Sequence, residues 1–277
     1  MIKMIGLDLD GTLLTRDKRI SDANKMALEE AWRSGAHIVP VTGRPLTGIP
    51  RQVRELPFIR YVITSNGAVT TDREKAETIR ERCMTAEIAE RVLREAEGKD
   101  TIREYFTKGV GFHDEVTRRL LWKRFEGTPI LHYLEESRTK VNDFYGSLRA
   151  CSGGIENLSV MFTSQEARDE AILRLREIEM IRIILPWKTD IEITSSKADK
   201  GEALLELAAG LGFAADEVMA MGDSNNDLGM MKAAGLSVAM GNSTGEILEA
   251  ADFTTQDNDH DGVAHAINRF VLGKGEQ

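Results

Sequence analysis

Asp8-Leu9-Asp10-Gly11-Thr12 places two carboxylates two residues apart. On an extended backbone that spacing puts both on one side, and Gly11 lets the chain leave with unusual backbone angles. An acidic turn capped by Thr12 is the simpler alternative. A second acidic group, Gly222-Asp223-Ser224-Asn225-Asn226-Asp227, carries carboxylates four residues apart that can reach one hard cation. Hard cations such as Mg²⁺ take oxygen ligands in octahedral geometry and keep waters. Thr42-Gly43-Arg44 offers a hydroxyl and backbone N–H groups that can bind a phosphoryl oxygen or cap the following segment. Arg44 reads as a substrate ligand or a surface side chain. Lys200 stands before a helix whose N-terminal end already favours anions. A cation is electrostatically odd there unless it serves an anion or a nearby carboxylate, and Lys197 is its rival. Asn66-Gly67 reads as a turn or as part of a site, and Asn226 lies within the second acidic group.

These groups fit one reaction type. Several carboxylates cannot stay ionised together without a cation, and a bound metal supplies one while offsetting charge on a transferring phosphoryl group. Four carboxylates (Asp8, Asp10, Asp223, Asp227), a hydroxyl at Thr42 and a cation at Lys200 suit metal-assisted phosphoryl transfer. No serine or cysteine triad is apparent, and the five histidines lie outside these motifs.

The elements that must position them follow an alternating pattern. Met4–Leu9 reads as a mostly buried strand, and Ser21 caps a helix running to about Ser34 with Gly35 as its stop. Ala36–Val41 reads as a strand, a short helix follows near Arg51–Leu56, and Tyr61–Thr64 is a third strand. Strands alternating with helices predict a parallel α/β sheet, and in such sheets ligands bind beyond the carboxyl ends of the strands. From about residue 83 to 188 the order becomes mixed α+β, which predicts an inserted module. The first rhythm returns from 189: Asp199 caps a helix over Gly201–Leu211, Val218–Met221 and Leu236–Met240 are strands, and Val263–Phe270 closes the fold. The predicted architecture is a doubly wound core of residues 1–82 and 189–277 with an inserted domain of residues 83–188.

Composition narrows the function classes. The chain has 277 residues, 42% hydrophobic and 29% charged, as in a soluble globular protein. The longest uncharged stretch, Ala233–Gly245, is rich in Gly, Ser and Asn, so no membrane-spanning helix is expected. The first residues carry two aspartates by position 10, which leaves no apolar core for a signal peptide. Cys83 and Cys151 make neither a disulfide framework nor a metal-type spacing. A cytoplasmic location follows as the expectation. A formal charge of −9 disfavours nucleic acid as the main ligand and leaves a small anionic substrate possible; with the phosphoryl-transfer groups above, a small phosphorylated metabolite is the expected partner. The sequence leaves the oligomeric state open. Met219, Met221, Met230, Met231 and Met240 read as core packing. Segments such as Arg73–Glu81 read as solvated faces, and His113, His132, Trp122 and Trp187 as packing or substrate contacts of the inserted module.

In their order along the chain, Asp8-Leu9-Asp10-Gly11-Thr12, Thr42-Gly43-Arg44, Lys200 and Gly222–Asp227 resemble the motif set of the haloacid dehalogenase-like (HAD) superfamily. Within it the chain is similar to the Cof-type hydrolases, whose large C2B-type cap is inserted where residues 83–188 lie. Ser65-Asn66-Gly67-Ala68 and Asp261-Gly262-Val263-Ala264 resemble that group too. The resemblance implies a Rossmann-like core and an Mg²⁺-dependent phosphatase acting on small phosphomonoesters such as sugar phosphates or phosphorylated cofactors. It implies that Asp8 is the nucleophile of an aspartyl-phosphate mechanism and Asp10 the acid and base. Thr42, Gly43, Arg44, Lys200, Asn66 and Asn226 would bind substrate or its phosphate. The Asp8 side chain, the Asp10 carbonyl and Asp223 would hold the metal, with Asp227 in or beside that set. The rivals are a phosphosugar mutase resembling phosphomannomutase and a non-catalytic, metal-binding regulatory protein.

Overall fold

The computed structural model describes residues 1–98 and 100–274. They form two compact units: residues 1–43, 49–80 and 199 onward make the first, and residues 44–48 and 81–198 the second.

The first unit opens with strand β1 (Met4–Leu7), helix α1 (Asp22–Arg33) and strand β2 (His37–Pro40). Ser21 caps α1 by accepting the Asn24 N–H at 3.1 Å, and Gly35 ends the turn beyond it with φ +101°. A single helical turn, α2 (Arg51–Arg54), precedes strands β3 (Tyr61–Thr64), β4 (Val69–Asp72) and β5 (Glu77–Glu81). Strands β3 and β4 form an antiparallel hairpin, and Val41 bridges Ile63 in parallel fashion, so β3 continues the sheet beside β2.

The second unit contains α3 (Ala86–Glu95), β6 (Ile102–Thr107), β7 (Val110–His113), α4 (Glu115–Phe125), α5 (Pro129–Ser137), β8 (Arg138–Lys140), α6 (Phe144–Arg149), β9 (Asn157–Met161), α7 (Gln165–Leu175), β10 (Ile181–Trp187) and β11 (Asp190–Ser195). Its six strands run in the order β10-β11-β9-β6-β7-β8, antiparallel except for β7 with β8. Leu93, Leu148, Leu158, Ile191 and Leu175 share one apolar cluster of this unit, and Ile102, Leu121 and Leu134 share another. The sequence reading closes the inserted segment at residue 188. Strand β11 instead pairs with both β9 and β10, so the second unit continues to Ala198.

The chain returns to the first unit through α8 (Lys200–Gly210), β12 (Val218–Gly222), α9 (Leu228–Ala233), β13 (Leu236–Ala239), α10 (Gly245–Ala250), β14 (Phe253–Thr254) and α11 (Gly262–Phe270). The parallel sheet runs β14-β13-β12-β1-β2, with Met4 registered against both Val218 and His37. Strands covered on both faces are apolar throughout, and β1 and β12 are buried along their whole length. On one side Val39, Val218, Ala220, Leu204, Leu207 and Met230 make a continuous core. Helix α8 comes so close to β1 that a Cβ on Gly6 would lie 2.4 Å from Leu204 Cδ2. Asn24 joins α1 to α11 by accepting the Ala264 N–H at 2.9 Å. The five methionines expected in the core are all buried there. No helix among the described residues is long and apolar enough to cross a membrane.

Candidate active site

The carboxyl ends of β1, β2, β3 and β12 lie side by side in register. The residues just past them therefore meet on one edge of the sheet. Asp8 follows β1, Thr42 follows β2, Ser65-Asn66-Gly67 follows β3, and Asp223 follows β12.

Lys200 is the first residue of α8, and Asp199 caps that helix by accepting the N–H groups of Gly201 (2.8 Å) and Glu202 (3.0 Å). The lysine side chain is fully buried. Its Nζ donates to Asp8 Oδ1 at 2.7 Å and to Asp227 Oδ1 at 2.6 Å. Two buried carboxylates hold this ammonium charged and outweigh the cost of desolvating it. Asp227 spends its second oxygen on the backbone N–H groups of Asp223 (3.0 Å) and Ser224 (3.1 Å). It thus ties the lysine to the loop that carries Asp223.

Ligand oxygens of Asp8, Asp223 and Asp227 all lie within 4.8 Å of one another. Thr12 Oγ1 donates to Asp223 Oδ1 at 3.0 Å and fixes that carboxylate against the first motif. Burial pushes the Asp8 carboxyl well above the usual range, and Asp227, Asp223 and Asp10 add to the effect against Lys200. Burial and then Asp227 push Asp223 up to about 6. One ammonium does not balance this much negative charge. A hard, all-oxygen donor set with charge left over fits a divalent cation.

Asp10 lies outside that oxygen cluster. Its carboxylate accepts from Lys18 Nζ at 2.7 Å. Asn66 sits in a tight turn with φ +56°, its N–H donating to the Thr42 carbonyl at 3.0 Å. Its Oδ1 accepts from Asn226 Nδ2 at 3.1 Å, and a Cβ on Gly43 would lie 2.9 Å from that same oxygen. Thr42, Gly43, Asn66 and Asn226 are therefore joined in one polar cluster. Arg44 belongs to the second unit. There its guanidinium donates to the Gly48 carbonyl at 2.9 Å and stacks over the Tyr133 ring.

Three supporting residues escape sequence reasoning. Asn242 Nδ2 donates to the Gly11 carbonyl at 2.9 Å, and Asn258 Nδ2 donates to the Leu14 carbonyl at 2.8 Å. Arg80 lies in a segment expected to be a solvated face, yet it is buried; it donates to the Gly67 carbonyl and pairs with Glu206 at 2.5 Å. An arginine inside a run of charges carries no signal of burial. His113 is likewise buried, beside Trp122, whereas His132 and Trp187 are exposed.

A parallel α/β core with a lysine-bridged carboxylate cluster at its strand ends defines a phosphoryl-transfer hydrolase. The chain belongs to the haloacid dehalogenase-like hydrolases, whose family model matches residues 5–267. It is 30% identical over 287 residues to the phosphatase YwpJ of Bacillus subtilis, covering 98% of this chain and all of that one. It is 30% identical over 272 residues to the 5-amino-6-(5-phospho-D-ribitylamino)uracil phosphatase YcsE of the same organism, covering 98% and 96%. Among solved structures, a haloacid dehalogenase-like hydrolase from B. subtilis superposes with a TM-score of 0.85 at 29% identity, over 97% of this chain and 100% of that one. The protein is a phosphoric monoester hydrolase of the Cof type, and its parallel core with additional antiparallel sheets matches HAD structures that carry a cap domain.

Proposed function

We propose that this phosphatase is Mg²⁺-dependent and hydrolyses small phosphomonoesters, either sugar phosphates or phosphorylated cofactors, through an aspartyl-phosphate on Asp8. The observation that carries this reading is the buried Lys200 ammonium held between Asp8 and Asp227, with Asp223 in the same cluster.

Asp8 attacks phosphorus while the bond to the leaving oxygen breaks, and Asp10 gives that oxygen its proton. Asp10 then takes a proton from water, whose oxygen attacks the same phosphorus and frees the Asp8 carboxylate. Two displacements replace one harder displacement, and one carboxyl serves as acid and then base. Lys200 and Thr42 hold the phosphoryl oxygens, while Asn66 and Asn226, joined to each other, border the same site. The Asp8 side chain, the Asp10 carbonyl and Asp223 would hold Mg²⁺, with Asp227 anchoring Lys200 beside them. When bound, the ion supplies the positive charge that this carboxylate cluster and the developing phosphoryl charge require.

The substrate class follows the relatives named for a phosphorylated ribityl chain on a uracil ring. The test measures phosphate release from p-nitrophenyl phosphate, sugar phosphates and that ribitylaminouracil phosphate, with Mg²⁺ or EDTA, for the wild type and Asp8→Asn. The proposal requires Mg²⁺-dependent release that Asp8→Asn loses. Equal release from both proteins would overturn Asp8 as nucleophile, and phosphoryl exchange between sugars without release would favour a mutase.

A further inference from the structure

We infer that Lys18 is a positioning residue for Asp10, holding its carboxyl group where it can protonate the leaving oxygen. The inference rests on the reading of Asp10 as the acid and base. Two independent observations support it. Lys18 Nζ donates to Asp10 Oδ1 at 2.7 Å. Lys18 also adopts φ +57°, a left-handed conformation that favours glycine or asparagine. That backbone conformation sets the direction in which the Lys18 side chain leaves its loop to reach Asp10.

The loop around Lys18 is fixed from several directions. Its N–H donates to the Thr15 carbonyl at 2.8 Å, and its carbonyl accepts from Gln52, whose Oε1 takes the Ile20 N–H at 3.0 Å. The Arg16 N–H donates to Asp259 Oδ1 at 2.9 Å, and Asn258 holds the Leu14 carbonyl. All of these contacts use loop backbone, so they fix where the Lys18 side chain starts without depending on which side chain it is. Asp10 is 37% exposed at its side chain. A half-exposed carboxyl can rotate among several positions, and a donor anchored on a braced loop restricts it to one. Small misplacements of a proton donor are costly in rate, which makes such restriction useful.

This function has a signature that a purely structural role lacks. Loss of a well-placed acid is felt most when the departing oxygen is basic and needs its proton. The value of kcat/KM reports the first displacement, in which Asp10 gives that proton. The experiment follows kcat/KM for p-nitrophenyl, phenyl and benzyl phosphates, three similar shapes with increasingly basic leaving oxygens. It compares wild type, Lys18→Asn, Lys18→Arg and Asp10→Asn. Asparagine tolerates the left-handed backbone, and Lys18 is 55% exposed at its side chain, so Lys18→Asn removes the amine without opening the core.

Lys18→Asn should lose about tenfold more on benzyl phosphate than on p-nitrophenyl phosphate, a part of the roughly 10²–10⁴ that a general acid contributes. Lys18→Arg should recover most of that difference. Asp10→Asn should show the same trend more steeply. If Asp10→Asn is steep but Lys18→Asn loses equally on all three, Lys18 does not position the acid, and the inference fails alone. If Asp10→Asn is itself flat across the series, Asp10 is not the acid, and both readings fall.

Discussion

Lys200 and Asp227 form an ion pair, 2.6 Å from Nζ to Oδ1, in which neither side chain reaches solvent. The pair connects the start of α8 to the loop after β12, and through Asp8 it connects both to β1. Removing one member of a buried pair leaves the other charged and uncompensated, at a cost of about 3–5 kcal/mol. Lys200→Met should therefore lower unfolding free energy in urea by about that much, besides abolishing activity. Divalent cation should restore part of the lost stability, since it can neutralise the stranded carboxylates. A Lys200→Met protein as stable as wild type without metal would contradict this account.

Asp223 gives the site a pH dependence with a definite sign. Its carboxyl is raised from the ordinary 3.8 to about 6 by burial and by Asp227. Between those values the native state holds more protons than the unfolded chain, so stability falls as pH rises through that window. The contribution is complete below 3.8 and lost above 6. Asp72 and Glu90, whose carboxyls are lowered by their arginine partners, contribute with the opposite sign. The Asp223 part is isolated by subtracting the Asp223→Asn profile from that of the wild type, both metal-free. The difference should decline from pH 4 to pH 7, and Mg²⁺ should bind more weakly below pH 6 as the carboxyl takes up its proton. A flat difference curve would refute the assignment.

Much of this site was legible because its chemistry is written in short windows. Asp8, Thr42 and Asp223 each lie directly after a strand readable from apolar runs, and parallel pairing then brings strand ends together. Lys200 was legible by contradiction, as a cation at a helix start that already favours anions. What escaped was made by partners far apart in sequence. Asn242 and Gly11 are 231 residues apart, and Arg80 and Glu206 are 126 apart. Nothing local distinguishes such an asparagine or arginine from a solvated one. Strand β11 failed differently: its residues read as a strand in either unit, and only its hydrogen-bonded neighbours decide the matter. Arg44 was read together with Thr42, and nothing in the sequence marks that the backbone passes from the first unit to the second between Gly43 and Arg44.

Gly11 is required by both conformation and space. Its φ is +87°, and a Cβ there would meet Asp223 Oδ2 at 2.4 Å. Left-handed backbone costs a non-glycine residue about 1–2 kcal/mol. The crowding adds to this and bears on the carboxylate that Thr12 holds. Gly11→Ala should therefore weaken Mg²⁺ binding, read by calorimetry, by a larger factor than it lowers thermal stability. Gly212→Ala is the control: φ is +81° there, but no atom lies within 4 Å of the added Cβ. It should show the stability loss with no change in metal affinity.

Asn258 braces the first motif from the far end of the chain. Its Nδ2 donates to the buried Leu14 carbonyl at 2.8 Å, and its N–H donates to Asn242 Oδ1 at 3.1 Å. Asn242 in turn donates to the Gly11 carbonyl. Truncating Asn258 to alanine strands the Leu14 carbonyl without a partner, which costs about 1–3 kcal/mol. The backbone N–H to Asn242 survives this change, so the Gly11 carbonyl stays held. Asn242→Ala does the reverse, since it frees the Gly11 carbonyl at an exposed position where water can replace the lost donor. Asn258→Ala should consequently lower the melting temperature while sparing most of kcat. Asn242→Ala should spare the melting temperature and lower kcat, because Gly11 sits between Asp10, the proposed acid, and Thr12, which holds Asp223. Melting curves and steady-state kinetics on the two single variants decide the point, and equal effects on both measures would show that the two asparagines act as one structural unit.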